Sequence, residues 1–127
     1  MERLIRLDTH VVAWLHANQS KRFSKDARRL IDSFAPTISP IVLLELTYLH
    51  EIGRLRFDGP TICNELVGQI GLKFSEATLY DVALEAEQVK WTRDPFDRLI
   101  VADAAATSAL LVTADDAILQ AFPTARW

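Results

Sequence analysis

The sequence has little cysteine, little glycine and no long hydrophobic run. A single cysteine among 127 residues excludes an internal disulfide framework and fits a reducing compartment. The N-terminal stretch MERLIRLDTH carries charges at positions 2, 3, 6 and 8, which excludes an apolar signal-peptide core. The longest stretch with few charges, residues 99–114, is too short to span a bilayer and contains Asp103. We therefore expect a soluble, cytoplasmic protein that does not associate with a membrane.

Internal repeats, low-complexity segments and linker-like stretches are also absent. A chain of 127 residues with 50% hydrophobic content has the size of one domain, so we predict a single domain over residues 1–127. The net charge of −3 argues against a protein that coats nucleic acid. Basic residues are nevertheless concentrated between positions 21 and 29. Such a local cluster can bind a polyanion even when the whole protein is acidic.

Segments with strand and helix periodicity alternate along the chain. Strands are predicted at residues 3–7, 37–39, 72–74 and 109–113. Helices are predicted at residues 10–17, 21–34, 41–52, about 60–71, 75–90, from Pro95 onwards, and 115–122. This alternation, with several continuously apolar strands, predicts an α/β fold with a central, mostly parallel sheet flanked by helices on both faces.

Aspartates occur at the end of the predicted sheet where α/β proteins bind ligands. Asp8 directly follows the first strand, and Asp115 follows the last one by two residues. In the segment TRDPFDRLIVADA (92–104), Asp94 is a favourable N-cap residue before Pro95. Asp97 then falls in the first helical turn, where a carboxylate has two possible roles. It either interacts with the positive end of the helix dipole or binds a metal ion.

Capping cannot explain Glu45, which points into the middle of a broad apolar sector of the helix 41–52. A carboxylate in such surroundings is costly unless it is paired or bound to metal. Two interpretations are open: an ion pair with an arginine such as Arg98, or a position beside the aspartates. Crowded carboxylates repel one another, and a hard divalent cation removes the repulsion. Oxygen-only ligands favour Mg²⁺ or Mn²⁺ over zinc, and such a site suits hydrolysis of a phosphodiester.

Four segments carry a more specific signal: LDTHVVAWL (7–15), SPIVLLELTYLHEIGRL (39–55), RDPFDRLIVADA (93–104) and LLVTADDAI (110–118). In this order they resemble the PIN-domain ribonucleases, and especially the VapC toxins of bacterial toxin–antitoxin pairs. The resemblance covers nearly the whole chain. It implies a PIN-like fold and a metal-dependent endoribonuclease that uses Mg²⁺ or Mn²⁺. It also implies an RNA substrate, a cognate antitoxin protein and a homodimer.

The resemblance assigns the catalytic and metal-binding roles to four acids: Asp8, Glu45, Asp97 and Asp115. Thr9 and Thr113 are expected to support them. Asp116 leaves the position of the last acid open by one residue, and Asp103 is expected to lie outside the site. The rival hypothesis is a catalytically weak PIN-fold binding module that acts mainly through its protein partner.

Two surfaces are predicted for partners. Five basic side chains share one face of the predicted helix 21–34: Lys21, Arg22, Lys25, Arg28 and Arg29. They either dock the RNA backbone or form an ordinary solvated face. The helix 41–52 has more apolar residues than one buried stripe needs. With Trp14 and Trp91 it forms either a groove for an amphipathic antitoxin segment or part of the monomer core. The three histidines lack metal-ligand spacing and are expected on helix faces.

Overall fold

A computed structural model describes residues 4–127 and contains one five-stranded sheet. Its strands are β1 Ile5–Leu7, β2 Pro36–Ile38, β3 Lys73–Phe74, β4 Leu110–Val112 and β5 Ala125–Arg126. All neighbouring strands are parallel, in the spatial order β3-β2-β1-β4-β5. The chain extends the sheet from β1 in one direction through β2 and β3, and then in the other through β4 and β5. The strand order therefore reverses between β1 and β4, where open α/β sheets bind ligands.

Seven α-helices connect or follow these strands within residues 4–127. They are α1 Thr9–His16, α2 Lys25–Ser33, α3 Pro40–Glu51, α4 Gly59–Ile70, α5 Leu79–Ala86, α6 Pro95–Ala106 and α7 Asp116–Ala121. Each begins after a residue whose side chain accepts a backbone N–H of the first turn. No helix in this part of the chain combines the length and apolar character that a bilayer crossing requires.

The hydrophobic core surrounds the central strands. Every residue of β1, β2 and β4 is buried, so both faces of the sheet are covered by other elements. Each of the seven helices contributes at least one side chain to this core, for example Val12 of α1, Leu46 of α3 and Ile100 of α6. The predicted α/β fold with a parallel sheet is confirmed.

A buried charged pair lies within this apolar core. Arg6, in the middle of β1, donates from Nε to Asp103 Oδ1 of α6 over 2.9 Å. Its other nitrogens donate to the hydroxyls of Thr37, Ser75 and Thr107. The Arg6 guanidinium thus joins β1 to β2, to the segment after β3 and to α6. Asp103 serves this network and lies outside the group of acids described below.

The predicted helix 21–34 is wrong in its first turn. Residues Ser20–Arg22 form a separate 3₁₀ turn, and α2 begins only at Lys25. The Ser24 hydroxyl accepts the N–H of Ala27 over 3.0 Å, which caps α2 and ends the preceding segment. Lys21 and Arg22 therefore precede the helix whose face they were predicted to share.

The predicted helix 75–90 is too long at both ends. The Ser75 hydroxyl accepts a hydrogen bond from Arg6, and Thr78 is the residue that caps the shorter α5. Strand β5 was not predicted, because a strand of two residues shows no periodicity. Residue 3 of the first predicted strand lies outside the described residues.

Candidate functional site

Three carboxylates from separate parts of the chain meet at the end of the sheet beside the β1–β4 switch point. Asp8 follows β1, Glu45 lies in the second turn of α3, and Asp97 lies in the first turn of α6. One oxygen from each lies within 4.8 Å of the others. No lysine or arginine of residues 4–127 forms an ion pair with any of them. We call Asp8, Glu45 and Asp97 the acid cluster.

Asp8 is held in one orientation by its neighbours. Its Oδ1 accepts the backbone N–H of Thr9 over 2.8 Å, which caps α1. Its Oδ2 accepts the hydroxyl of Thr113, just after β4, over 2.7 Å. The side chain is only 4% exposed. Asp8 can therefore cap α1 through Oδ1 and still belong to the acid cluster.

Glu45 lies beside Asp8, as one of the two sequence interpretations predicted. The Thr9 hydroxyl donates to Glu45 Oε1. The other interpretation, an ion pair with Arg98, is not realised, because Arg98 Nε donates to the carbonyl oxygen of Ala86 over 2.8 Å. Thr9 thus supports two acids at once, Asp8 with its backbone N–H and Glu45 with its hydroxyl.

The two aspartates of the DPFD segment have different surroundings. Asp94 Oδ1 accepts the backbone N–H groups of Phe96 and Asp97 over 2.9 and 3.2 Å, so Asp94 caps α6. Asp97 is a half-buried residue whose carboxylate lies in the acid cluster. The cap holds the first turn of α6 and so sets the direction in which Asp97 projects.

Burial and mutual repulsion change the protonation of the acid cluster. Burial, with additional repulsion from the carboxylates around it, raises the pKa of Asp97 to about 7. Burial also raises the pKa of Glu45; the hydrogen bond from Thr9 opposes this rise, and the charges of Asp8 and Asp94 add to it. The metal-free cluster therefore disfavours full ionisation at neutral pH, which a bound cation would reverse.

This raised pKa predicts a pH-dependent difference in stability between the metal-free protein and its Asp97→Asn variant. Between about pH 4 and pH 7, folded Asp97 retains a proton that the unfolded chain has released, since the ordinary pKa is 3.8. The free energy of unfolding of the wild type therefore falls as the pH rises through this window, and the variant lacks this contribution. The variant should therefore have a higher melting temperature than the wild type. This difference should grow between about pH 4 and pH 7 and reach several degrees Celsius once the pH exceeds 7. Thermal melts in chelator measure the margin, and a constant margin would contradict the raised pKa.

Asp115 lies outside the acid cluster but close to it. Its Oδ1 caps α7 by accepting the N–H groups of Ala117 and Ile118 over 2.9 and 3.2 Å. Its charge still contributes to the raised pKa of Asp97. Thr113 joins Asp115 to the cluster, because its hydroxyl accepts the Asp115 N–H and donates to Asp8. Asp116 is exposed in the first turn of α7.

The basic residues between positions 21 and 29 are exposed, but only Lys25, Arg28 and Arg29 belong to α2, while Lys21 and Arg22 lie in the preceding 3₁₀ turn. Arg22 lies over the Trp14 ring at 5.1 Å, and Arg28 donates to the carbonyl oxygen of Ser20. Arg29 lies 3.6 Å from Asp26 in an exposed ion pair. Lys21 and Lys25 are also exposed.

The sequence interpretation missed His10 as a neighbour of the acids. His10 Nε2 accepts the backbone N–H of Ala114 over 2.9 Å, and His10 Nδ1 lies 3.5 Å from Asp8 Oδ2. The available signal was its position two residues after Asp8, in the first turn of the same helix. The histidines were considered only as metal ligands, so the contact of His10 with Asp8 was not predicted.

Comparisons with known proteins identify a family and several similar folds. Residues 5–122 match the family model of the PIN domain. The fold is similar to VapBC2 from Rickettsia felis bound to a DNA fragment from their promoter, with a TM-score of 0.68 and 19% identity over 98% of each chain. DNA-bound VapBC from Salmonella typhimurium has a TM-score of 0.64 and 19% identity, covering 99% of this chain and 96% of that one.

VapBC-1 from nontypeable Haemophilus influenzae has a TM-score of 0.63 and 16% identity, covering 98% of this chain and 96% of that one. No curated protein sequence matches the chain. At these identities the solved structures establish the fold, while the family match extends over nearly all of the sequence. The chain belongs to the PIN domain family.

Proposed function

We propose that this protein is a metal-dependent endoribonuclease and the toxin of a toxin–antitoxin pair. The observation that carries the proposal is the acid cluster, in which three carboxylates without a lysine or arginine partner in residues 4–127 lie within 4.8 Å of one another. The cluster offers carboxylate oxygens, a donor set that suits Mg²⁺ or Mn²⁺. Membership in the PIN domain family and a fold similar to VapBC complexes support the same function.

The residues of the site have distinct proposed roles. Asp8, Glu45 and Asp97 would hold the divalent cation, and we propose Asp115 as a fourth acid because its charge reaches Asp97. When bound, the cation supplies positive charge that activates the attacking water and offsets negative charge on the phosphate. Thr9 and Thr113 support the site by fixing the carboxylates before metal and RNA arrive. Asp116 is a supporting candidate through its position next to Asp115.

We also propose that the five basic residues between positions 21 and 29 dock RNA, although they lie on two elements and not on one helix. Lys21 and Arg22 belong to the 3₁₀ turn, and Lys25, Arg28 and Arg29 to α2. If these side chains contact phosphates, RNA binding by the double variant Arg28→Ala/Arg29→Ala should depend less steeply on salt concentration. The slope of the logarithm of the binding constant against the logarithm of the salt concentration should be smaller in magnitude by up to about two. Binding of the metal-free protein across a salt series measures this slope. An unchanged slope would leave an ordinary solvated face.

The apolar excess predicted for the helix 41–52 is present on the surface. Leu44 and Tyr48 of α3 and Ile52, the residue directly after it, are spaced four residues apart and are 53%, 46% and 48% exposed. Leu79 and Tyr80 of α5 are 77% and 71% exposed. A cleft of about 440 Å³ separates the beginnings of these two helices, with Leu44 and Leu79 in its lining. We call these five residues the α3–α5 apolar surface.

We propose that the α3–α5 apolar surface joins two copies of this chain in a homodimer, since exposed apolar patches on two helices mark interaction sites. Tyr48→Glu should then convert a dimer of the protein alone into a monomer. A wild-type monomer that dimerises only with the antitoxin would instead assign this surface to the antitoxin segment.

Trp91 is 39% exposed and available to a partner. Trp14 packs against Phe23 and Trp127 and so belongs to the monomer's own packing.

The experiment that tests the function is cleavage of total cellular RNA with end mapping. The purified protein should make internal cuts with Mg²⁺ or Mn²⁺, and a chelator should stop them. Co-expression with the protein encoded beside it should restore growth, and the purified complex should cleave little RNA in excess Mg²⁺. A protein that binds this partner but cuts no RNA with either metal would be the binding module of the rival hypothesis.

A further inference from the structure

We propose that His10 is a positioning residue, which orients the Asp8 carboxylate and fixes the turn that carries Asp115. The inference rests on the proposed function, because it assigns His10 a role toward the metal-binding acids. Its basis is the pair of contacts from one ring. Nε2 accepts the backbone N–H of Ala114 over 2.9 Å, and Nδ1 lies 3.5 Å from Asp8 Oδ2.

These contacts determine the tautomer of the imidazole. A backbone N–H can only donate, so His10 Nε2 must be the unprotonated acceptor. The neutral ring then carries its proton on Nδ1, which faces Asp8 Oδ2. Asp8 therefore accepts hydrogen bonds from the Thr9 N–H at Oδ1 and from the Thr113 hydroxyl at Oδ2, while the His10 Nδ1–H lies 3.5 Å from Oδ2, at a distance of electrostatic attraction rather than of a hydrogen bond. Such outer partners fix the direction in which a ligating carboxylate presents its free lone pairs.

The second contact fixes the loop after β4. Ala114 lies between Thr113, which donates to Asp8, and Asp115, the proposed fourth acid. By accepting the Ala114 N–H, His10 joins the end of β4 to the first turn of α1, across the switch point of the sheet. Without this acceptor, the Ala114 N–H would lose its partner and the loop its connection to α1. Asp115 would then lose a constraint on its distance from the acid cluster.

Packing holds the His10 ring in place without burying it completely. Its centroid lies 4.8 Å from that of Trp14 and 6.5 Å from that of Trp127, which follows β5. The side chain remains 30% exposed, so it is not an ordinary core residue. The ring thus has a packed side toward the two indoles and two nitrogens engaged at the site.

Three substitutions separate the functions of the ring. His10→Gln keeps an acceptor near the position of Nε2 and so preserves the Ala114 contact. His10→Asn keeps a donor near the position of Nδ1 and so preserves the Asp8 contact. His10→Phe keeps an aromatic ring against Trp14 and removes both contacts. His16→Phe, on the last turn of α1 and outside the site, is the matched control.

The test measures Mn²⁺ affinity by calorimetry without RNA, kcat and KM for RNA cleavage, and the melting temperature. We expect His10→Phe to weaken Mn²⁺ binding by about 10- to 100-fold and to lower kcat more than it raises KM. His10→Asn should recover most of the Mn²⁺ affinity, and His10→Gln should recover kcat more than affinity. The control His16→Phe should match the wild type in both.

Two results would overturn the proposal. A folded His10→Phe variant that binds Mn²⁺ and cleaves RNA like the wild type would leave the ring no positioning role. Losses in all three His10 variants that merely follow their melting temperatures, without separate rescue by Asn and Gln, would make His10 a packing residue. A wild-type protein that neither binds Mn²⁺ nor cleaves RNA would instead refute the proposed function, and this role with it.

Discussion

Asp97→Asn is expected to lower the rate of RNA cleavage by more than about 100-fold, since stabilisation of transition-state charge by a metal ion is worth several kcal/mol. Asp97 is one of three carboxylates within 4.8 Å, and asparagine offers the cation a neutral oxygen in place of a charged one. The fold should persist, because Asp94 rather than Asp97 caps α6. Initial cleavage rates at saturating Mg²⁺, with circular dichroism of both proteins, measure the effect.

Asp94→Asn is the matched control for this experiment. It makes the same chemical change three residues earlier in the same segment, and asparagine caps a helix about as well as aspartate. We expect this variant to cleave RNA within a few-fold of the wild type. Normal cleavage by Asp97→Asn would mean that Asp97 serves only the helix N-terminus. If Asp94→Asn lowers the cleavage rate as much as Asp97→Asn does, the loss comes from a disturbance of α6 as a whole and not from the Asp97 carboxylate.

Asp103→Ala is expected to destabilise the protein by roughly 3–5 kcal/mol, because it leaves the buried Arg6 charge without its partner. Arg6 and Asp103 are 3% and 1% exposed, and their ion pair spans 2.9 Å. The three hydroxyls around Arg6 accept hydrogen bonds but carry no charge to replace the carboxylate. Urea denaturation of the metal-free protein measures the free energy of unfolding.

The double variant Arg6→Met/Asp103→Leu shows why Asp103→Ala loses stability. It distinguishes the cost of leaving the Arg6 charge unpaired from the loss of a stabilising ion pair. Replacing both members of a buried ion pair by apolar residues is often neutral, since desolvation offsets most of the attraction. We therefore expect the double variant to recover most of the stability that Asp103→Ala loses. A loss below about 1 kcal/mol in Asp103→Ala would be that of an exposed pair and would contradict the buried network.

The parts of the site that local patterns encode could be predicted from the sequence. Asp8 follows an apolar strand, Asp97 follows a Pro-containing cap, and Glu45 interrupts an apolar helix sector. Each of these features lies within a few neighbouring residues. Their convergence followed from the parallel topology, which brings the ends of strands and the starts of helices to one edge. Asp115 was predicted with them, and its position beside the cluster depends on the conformation of one turn after β4.

Contacts between distant residues could not be predicted in this way. The pairing of Arg6 with Asp103 spans 97 positions, and that of His10 with Ala114 spans 104. The sequence around Arg6 or His10 does not indicate which distant residue the side chain will contact. The break at Ser24 was missed for a different reason, because the helical spacing of apolar residues continues through a local cap. β5 depends on pairing with β4 rather than on its own two residues.

The most direct measurement of the central claim is a calorimetric titration of Mn²⁺ into the metal-free protein and its three cluster variants. The wild type should show saturable binding. Asp8→Asn, Glu45→Gln and Asp97→Asn should each lose most of it while keeping the fold. Mn²⁺ binding that is undiminished in all three folded variants would contradict the claim that Asp8, Glu45 and Asp97 hold the cation.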